Sequence, residues 1–305
     1  MTSHLIASQS PDATTNEPPP SVRLGLIGRG IDHSLAPAFH TTAGQMLGLD
    51  VTYELLPREA AFSTQFDEFL IELSQAGYQG VNITVPFKSS GWRTAPDVSY
   101  EVATTGVANT VLLGPMGPTK AFNTDFTGFK WAYARHFADT APGAVAILGA
   151  GGVGMAAAAA LVDLGASIVN IFDIREDRSH ALATTLRERD GSIQANVAGS
   201  AEDAVDGVDG VVNGTPVGMY LHPGSPVDLA AIADQRWLFD AIYSPIETPL
   251  MVRAAEANLT RISGFDLFLG QAIDAFEIFT DQRLTPDLLV ALETQMRVVE
   301  RKRRF

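Results

Sequence analysis

The feature that most constrains this chain is a short apolar run that empties directly into glycine. Ala144–Leu148 is entirely apolar, Gly149-Ala150-Gly151-Gly152-Val153-Gly154 follows at once, and the alanine-rich stretch Met155–Leu164 comes next. The order is strand, tight turn, helix, with a G-x-G-x-x-G spacing in the turn. The first glycine permits the turn, the second lets a pyrophosphate approach the backbone, and the third allows helix and strand to pack closely. The phosphates then lie at the helix N-terminus, where unpaired N–H groups and the positive dipole end stabilise them. Ser167–Phe172 reads as the next strand and ends at Asp173. A carboxylate there accepts hydrogen bonds from the adenosine ribose hydroxyls and repels a 2′-phosphate, which favours NAD. A plain turn or cap role is the alternative for Asp173, and the neighbouring Arg175 and Arg178 leave NADP possible.

The rest of the pattern is α/β. In the first half, Val22–Ile27, Val51–Leu55, Gly80–Val85 and Val107–Leu113 read as strands, the last closed by Gly-Pro turns. Ala36–Leu47 and Thr64–Gln75 read as helices between them, the second with Phe66, Phe69, Leu70 and Leu73 on one face. Strand–helix alternation predicts a layer of mostly parallel strands. After the glycine loop, Asp177–Arg189 reads as a helix, Gly207–Asn213 leads into a strand, and Trp237–Ala241 and Thr260–Ser263 follow as strands; from Gly264 the pattern is helical. The expected organisation is a disordered Ser/Thr/Pro-rich tail over 1–20, an α/β substrate-binding domain over 21–124, a Rossmann-type doubly wound NAD(P)-binding domain over 125–264, and helices over 265–305 that pack back on the substrate domain.

Composition narrows the class. Acidic residues number 35 against 21 basic, a formal charge of −14, which argues against nucleic acid or an anionic membrane as partner. There is no cysteine, so disulfides, thiolate nucleophiles and cysteine metal sites are excluded, and a cytoplasmic protein is expected. The six histidines form no metal-binding spacing, so no metal is expected. No run approaches the 18 or so apolar residues of a membrane span. A small-molecule substrate, and a monomer or homodimer, fit this profile.

Eight strings then occur in order: GLIGRGIDHSLAP (25–37), GVNITVPFK (80–88), GVANT (106–110), NTDFTG (123–128), GAGGVG (149–154), NGTPVGM (213–219), DAIYSPIETPL (240–250) and GFDLFLGQA (264–272). Together they resemble the shikimate dehydrogenase family, and within it the NAD-using quinate/shikimate branch. The resemblance implies an N-terminal substrate domain, a C-terminal nicotinamide-cofactor domain and an active site in the cleft between them. It implies a catalytic pair, Lys88 and Asp125. It implies substrate contacts at Ser34, Thr84, Asn109, Tyr243 and Gln271. Cofactor contacts are implied at Ala241 and Gly264, and Thr215 stands at a strand end facing the cofactor cleft. The implied reaction moves a hydride between the cofactor and a secondary alcohol of quinate or shikimate, giving 3-dehydroquinate or 3-dehydroshikimate. An NADP-dependent shikimate dehydrogenase, a relative acting on an amino-substituted analogue and a catalytically idle nucleotide-binding paralogue are the alternatives.

The residues themselves suit these roles. Alcohol oxidation needs a proton acceptor for the hydroxyl, and a partly desolvated Lys beside a carboxylate can serve. Whether Lys88 acts as base or as electrostatic donor is open. Asp125 also lies where it could cap a helix starting at Thr127, and Ser34 where it could cap one starting near Ala36. Three departures stand out. Ala36 replaces a usual Ser or Thr and removes one hydroxyl from the substrate-carboxylate site. Phe126 replaces a usual Gly and is expected to narrow the cleft. Asp173-Ile174-Arg175 replaces Asn-Arg-Thr and removes the usual 2′-phosphate binders.

Overall fold

The computed structural model describes residues 19–302. Residues 1–18 of the expected tail and residues 303–305 lie outside the described residues. Two six-stranded sheets, each with helices on its faces, make up the molecule.

The first sheet is built from β1 (Ser21–Gly28), β2 (Asp50–Pro57), β3 (Gly80–Ile83), β4 (Asp97–Val98), β5 (Thr110–Gly114) and β6 (Gly117–Phe122), in the order β2-β1-β3-β5-β6-β4. It is mixed: β1 runs parallel to β2 and β3, whereas β5 is antiparallel to both β3 and β6. The Gly117-Pro118 segment, expected as a turn, opens strand β6 instead, because the two-residue Pro115-Met116 connection lets the chain fold straight back on β5. The helices here are α1 (Ala36–Met46), α2 (Phe66–Gln75) and the short α3 (Tyr100–Thr105). A 3₁₀ turn over Ala60–Gln65 replaces the expected first turn of α2. α2 buries Phe66, Phe69, Leu70 and Leu73, one apolar stripe, onto Val81, Ile83 and Val111.

α4 (Thr124–Phe137) leads to the second sheet. Its strands are β7 (Ala144–Leu148), β8 (Ile168–Phe172), β9 (Gln194–Val197), β10 (Gly210–Asn213), β11 (Trp237–Asp240) and β12 (Thr260–Ser263). All are parallel, in the order β12-β11-β10-β7-β8-β9, the doubly wound Rossmann arrangement. Between them run α5 (Gly152–Asp163), α6 (Glu176–Arg189), α7 (Ala201–Val205) and α8 (Pro249–Glu256). β7 and the Gly210–Val212 part of β10 are buried on both faces, which is why their residues are apolar without alternation.

α9 (Gly264–Thr280) starts at the end of β12, fixed by a reciprocal capping box between Ser263 and Asp266. It then leaves the second sheet. Phe268, Ala272 and Phe276 enter the core of the first sheet with Leu24 and Phe39, and α10 (Pro286–Lys302) adds Leu292 and Met296 to the same cluster. α9 crosses α4 at two glycines. A Cβ on Gly128 would lie 2.5 Å from Gln271 N, and one on Gly270 would lie 2.7 Å from Gly128 O. Among the described residues no helix is long and apolar enough to cross a membrane.

Candidate active site

The strand order of the second sheet reverses between β7 and β10, and open α/β sheets hold ligands outside the C-terminal strand ends at such a point. The glycine loop leaves β7 there. Gly149 has φ +91°, and a Cβ on it would lie 2.7 Å from Thr215 Cγ2. A Cβ on Gly154 would collide with the carbonyl oxygen of Gly149. Both positions are dictated by the chain's own packing. A Cβ on Gly151, in contrast, would meet nothing within 4 Å. Gly151 is the N-cap of α5, and no side chain caps that end. The loop at Gly151, with no side chain capping α5, leaves room beside the helix N-terminus, where first-turn N–H groups suit a pyrophosphate.

Asp173 stands beside this loop. Its Oδ2 accepts a hydrogen bond from Ala150 N and its Oδ1 one from Arg175 N, each at 2.8 Å. The Arg175 guanidinium turns to Asp177 at 2.7 Å. The Thr215 hydroxyl is used internally: it donates to Asn213 Oδ1 at 2.7 Å and accepts from Val217 N at 3.1 Å. Ala241 and Gly264 touch, since a Cβ on Gly264 would collide with the Ala241 carbonyl oxygen.

Facing the loop is an ion pair from the other half of the chain. Lys88 follows the cis Val85–Pro86 bond and the turn after β3. Its Nζ lies 2.5 Å from Asp125 Oδ2, and the two side chains are only 13% and 9% exposed. The Lys88 stem reaches the glycine loop: its Cδ would lie 3.2 Å from a Cβ on Gly152. Asp125 sits in the first turn of α4. The helix begins at Thr124 and its cap is Asn123, whose side chain accepts from Phe126 N. The cap role considered for Asp125 is therefore not the one it plays, because the helix starts three residues earlier than the pattern suggested.

Asn109 braces the same turn. Its Oδ1 accepts from Thr124 N at 2.7 Å and from the Thr124 and Thr110 hydroxyls at 3.1 Å each. The carboxamide oxygen is thus committed, and the NH₂ is the group left to meet a ligand. The Gly128–Gly270 crossing brings Gln271 against α4, one turn beyond Asp125. The Gln271 amide donates to Phe268 O at 3.2 Å. Among the described residues no hydrogen bond joins the Thr84 hydroxyl or Gln271 to Lys88 or Asp125. Thr84 follows β3 directly, and its N bonds Ile27 O. Ser34 precedes α1 and its Oγ accepts from Ala36 N at 3.2 Å; the cap itself is Leu35. Ala36 is 6% exposed and belongs to the first sheet's core. The Tyr243 ring lies 5.8 Å from that of Phe268.

Phe126 differs from expectation. It is 2% exposed, packed in the core under Tyr100, and does not narrow a cleft. The sequence pattern gave Asp240 no role, yet it is the hub of the loops beyond β10 and β11. Fully buried, it accepts from Thr248 Oγ1 at 2.6 Å, Asn213 Nδ2 at 3.0 Å and Ile242 N at 3.1 Å. Burial pushes its carboxyl up to about 6 against the lowering effect of those donors. An acid ending a wholly apolar strand was the signal available. Among the described residues no cluster of three or more His, Asp or Glu could hold a metal ion.

Comparison with known proteins agrees with this geometry. Residues 26–111 match the model of the shikimate dehydrogenase substrate binding domain, and residues 119–219 that of the alanine dehydrogenase/PNT C-terminal domain. A quinate/shikimate dehydrogenase (NAD(+)) of Corynebacterium efficiens is 35% identical over 272 residues, 88% of this chain and 95% of the relative. A shikimate dehydrogenase (NADP(+)) of Pseudarthrobacter chlorophenolicus is 34% identical over 272 residues, 88% of this chain and 92% of the relative. The structure of quinate dehydrogenase from Corynebacterium glutamicum in complex with NAD superposes with a TM-score of 0.80 at 32% identity, covering 92% of this chain and 99% of that one. Fold, site and relatives define an NAD(P)-dependent oxidoreductase. The chain belongs to the shikimate dehydrogenase family.

Proposed function

We propose that this protein oxidises a ring secondary alcohol of quinate or shikimate with NAD as the hydride acceptor. The observation that carries the proposal is the desolvated Lys88–Asp125 pair, held with the Lys88 stem against Gly152 of the phosphate loop. A proton-handling group there would stand where a loop-bound cofactor and a substrate of the first sheet meet.

NAD bound at the loop supplies the hydride acceptor. Gly151 and the open end of α5 would hold its phosphates, and Asp173 its adenosine ribose. The substrate C–H bond breaks with its electron pair, the C=O bond forms, and the hydroxyl proton leaves. Lys88, as the neutral amine, accepts that proton and becomes the ammonium that pairs with Asp125. Asp125 keeps one oxygen on Lys88 and turns the other to the hydroxyl, orienting both. The Asn109 amide, Thr84 hydroxyl and Gln271 bind ring hydroxyls, with Ser34 at the carboxylate and Tyr243 beside it. NAD is preferred because Asp173 puts negative charge beside the loop, and because Arg175 is engaged by Asp177 rather than free for a 2′-phosphate.

A two-by-two rate matrix, quinate and shikimate against NAD and NADP, tests the reading. Turnover of at least one acid, faster with NAD, is expected. No turnover in any of the four cells sinks the substrate assignment, and a higher kcat/KM with NADP sinks the role of Asp173.

A further inference from the structure

The first sheet's layer meets α5 at two places. At the helix N-terminus, Lys88 lies against Gly152. At the other end, eleven residues on and therefore roughly 16 Å away, a second contact lies outside the proposed chemistry. Its centre is Arg189, the last residue of α6, whose side chain is only 11% exposed. The guanidinium donates to Ala159 O at 3.1 Å and to the Tyr100 hydroxyl at 2.7 Å, and it pairs closely with Asp163. It also stands over two rings, 5.3 Å from the centre of Tyr100 and 5.5 Å from that of Phe126. Lys130 completes the group, 3.7 Å from Asp163 and 5.7 Å above the Phe126 ring. Tyr100 belongs to the first sheet's layer, Phe126 and Lys130 to α4, and Asp163 and Arg189 to the second sheet's layer. One planar cation thus ties three parts of the molecule.

We infer that Arg189 is a positioning residue, a clasp that fixes the angle between the two layers and so the gap between Lys88 and the glycine loop. The inference rests on the proposed function only for what the gap is used for. Its physical basis is leverage. With the far contact loosened, a rotation of about 10° there moves the Lys88 end by about 3 Å over the length of α5. Proton transfer requires heavy atoms within roughly 3 Å, and misplacement by 1 Å can cost about a hundredfold. The clasp acts on Asp125 as well, since Phe126 is the next residue in the first turn of α4 and is held under the same cation. This gives the Phe at that position a purpose: a glycine there would offer Arg189 no second ring. Arginine is required because its rigid fork serves a carbonyl, a hydroxyl and a carboxylate together while its face lies on aromatic rings.

The test uses the full chain and its lack of cysteine. Spin labels on Glu68→Cys and Asp206→Cys, exposed sites on opposite layers, report the distance between layers. In the parent protein one narrow distribution is expected with NAD present. Arg189→Gln should broaden it and lower kcat by roughly 10- to 100-fold, while the Kd for NAD, followed by fluorescence, changes less than about threefold because the glycine loop is untouched. Arg189→Lys should recover part of the rate, and Tyr100→Phe, which loses the hydroxyl's bonds to Arg189 and Asp163 but keeps the ring, should fall between. An Arg189→Gln protein that melts earlier but keeps both the narrow distribution and kcat overturns the inference. Should Arg189→Gln not fold, an unchanged distribution and kcat in Tyr100→Ala overturns it equally. The distance measurement needs no turnover, so a chain inactive on both acids would sink the substrate assignment and leave the clasp to be judged on its own.

Discussion

Among the described residues the Lys88 ammonium has one ionic partner, Asp125, at 2.5 Å in a site largely closed to water. Removing either leaves the other charge desolvated and unpaired, so the two behave as a unit. Lys88→Ala is expected to lower kcat by roughly 10²–10⁴, the range for loss of an acid–base group, with KM changed far less. Asp125→Asn should also slow turnover, and the double variant should be little worse than the slower single one. Steady-state kinetics on the three variants decides this; near-parental turnover in Lys88→Ala defeats the mechanism. Asp173 invites a different experiment, because its carboxylate braces Ala150 N and, in the proposed function, is the charge that turns away a 2′-phosphate. Asp173→Asn keeps an acceptor and loses the charge. The ratio of kcat/KM for NADP over NAD should rise roughly 10- to 100-fold, the worth of a hydrogen bond to a charged group. An unchanged ratio would leave Asp173 as a brace for the loop alone.

At the scale of elements, the crossing of α4 and α9 is set by Gly128 and Gly270. A methyl group at Gly270 would meet Gly128 O at 2.7 Å, its Cα at 2.8 Å and Trp131 Cε3 at 3.0 Å. Gly→Ala in a helix ordinarily gains about 1 kcal/mol, but overpacking against backbone costs about 1–3 kcal/mol, and backbone neighbours cannot swing aside. Gly270→Ala should therefore lower the melting temperature and, by pushing Gln271 off α4, raise KM for the acid without changing NAD affinity. An unchanged or higher melting temperature would show that the crossing relaxes freely. Neither glycine announced this role in the sequence, since a helical glycine looks the same whether it faces water or another helix. The elements with strong periodicity were legible: β7, the glycine turn, α5 and the apolar stripe of α2. β6 was not, because Gly117-Pro118 imitates a turn and its pairing depends on β5. β4 has two residues and no pattern of its own. At the site, the residue types and order were legible from the strings that carry them. What was not legible was which groups use up one another's hydrogen bonds: Asn123 as the α4 cap and Thr215 bonded within its own turn; nor was the burial of Phe126 in the core beneath Tyr100 and Arg189.

For the whole molecule, two buried groups, one in each sheet's layer, give stability a pH dependence of opposite sign. His40 is in α1, 1% exposed, stacked at 4.6 Å on Tyr53 with Phe39, Phe276 and Phe279 around it. Burial lowers its pKa from 6.5 to about 3. Between those values the unfolded chain binds a proton that the folded chain refuses, so stability is complete above 6.5 and is lost as pH falls through the window. Asp240 is raised from 3.8 to about 6. There the folded chain holds the extra proton, so its contribution is complete below 3.8 and is lost as pH rises to about 6. A tenfold change in proton affinity on folding is worth about 1.4 kcal/mol, so the full effects are about 5 kcal/mol for His40 and about 3 kcal/mol for Asp240. Between pH 4 and 6 the two slopes nearly cancel. Below 3.8 the His40 effect acts alone. Urea midpoints measured from pH 4 to 8 should separate them. Asp240→Asn removes the compensating group, so its stability should fall steadily from pH 6.5 to 4 with a slope near 1.4 kcal/mol per pH unit, against a nearly flat parent between pH 4 and 6. His40→Leu should show the reverse, gaining stability relative to its own value at pH 7 as the pH falls to 4. Parallel pH profiles for the parent and both variants would mean that neither group changes its protonation on folding.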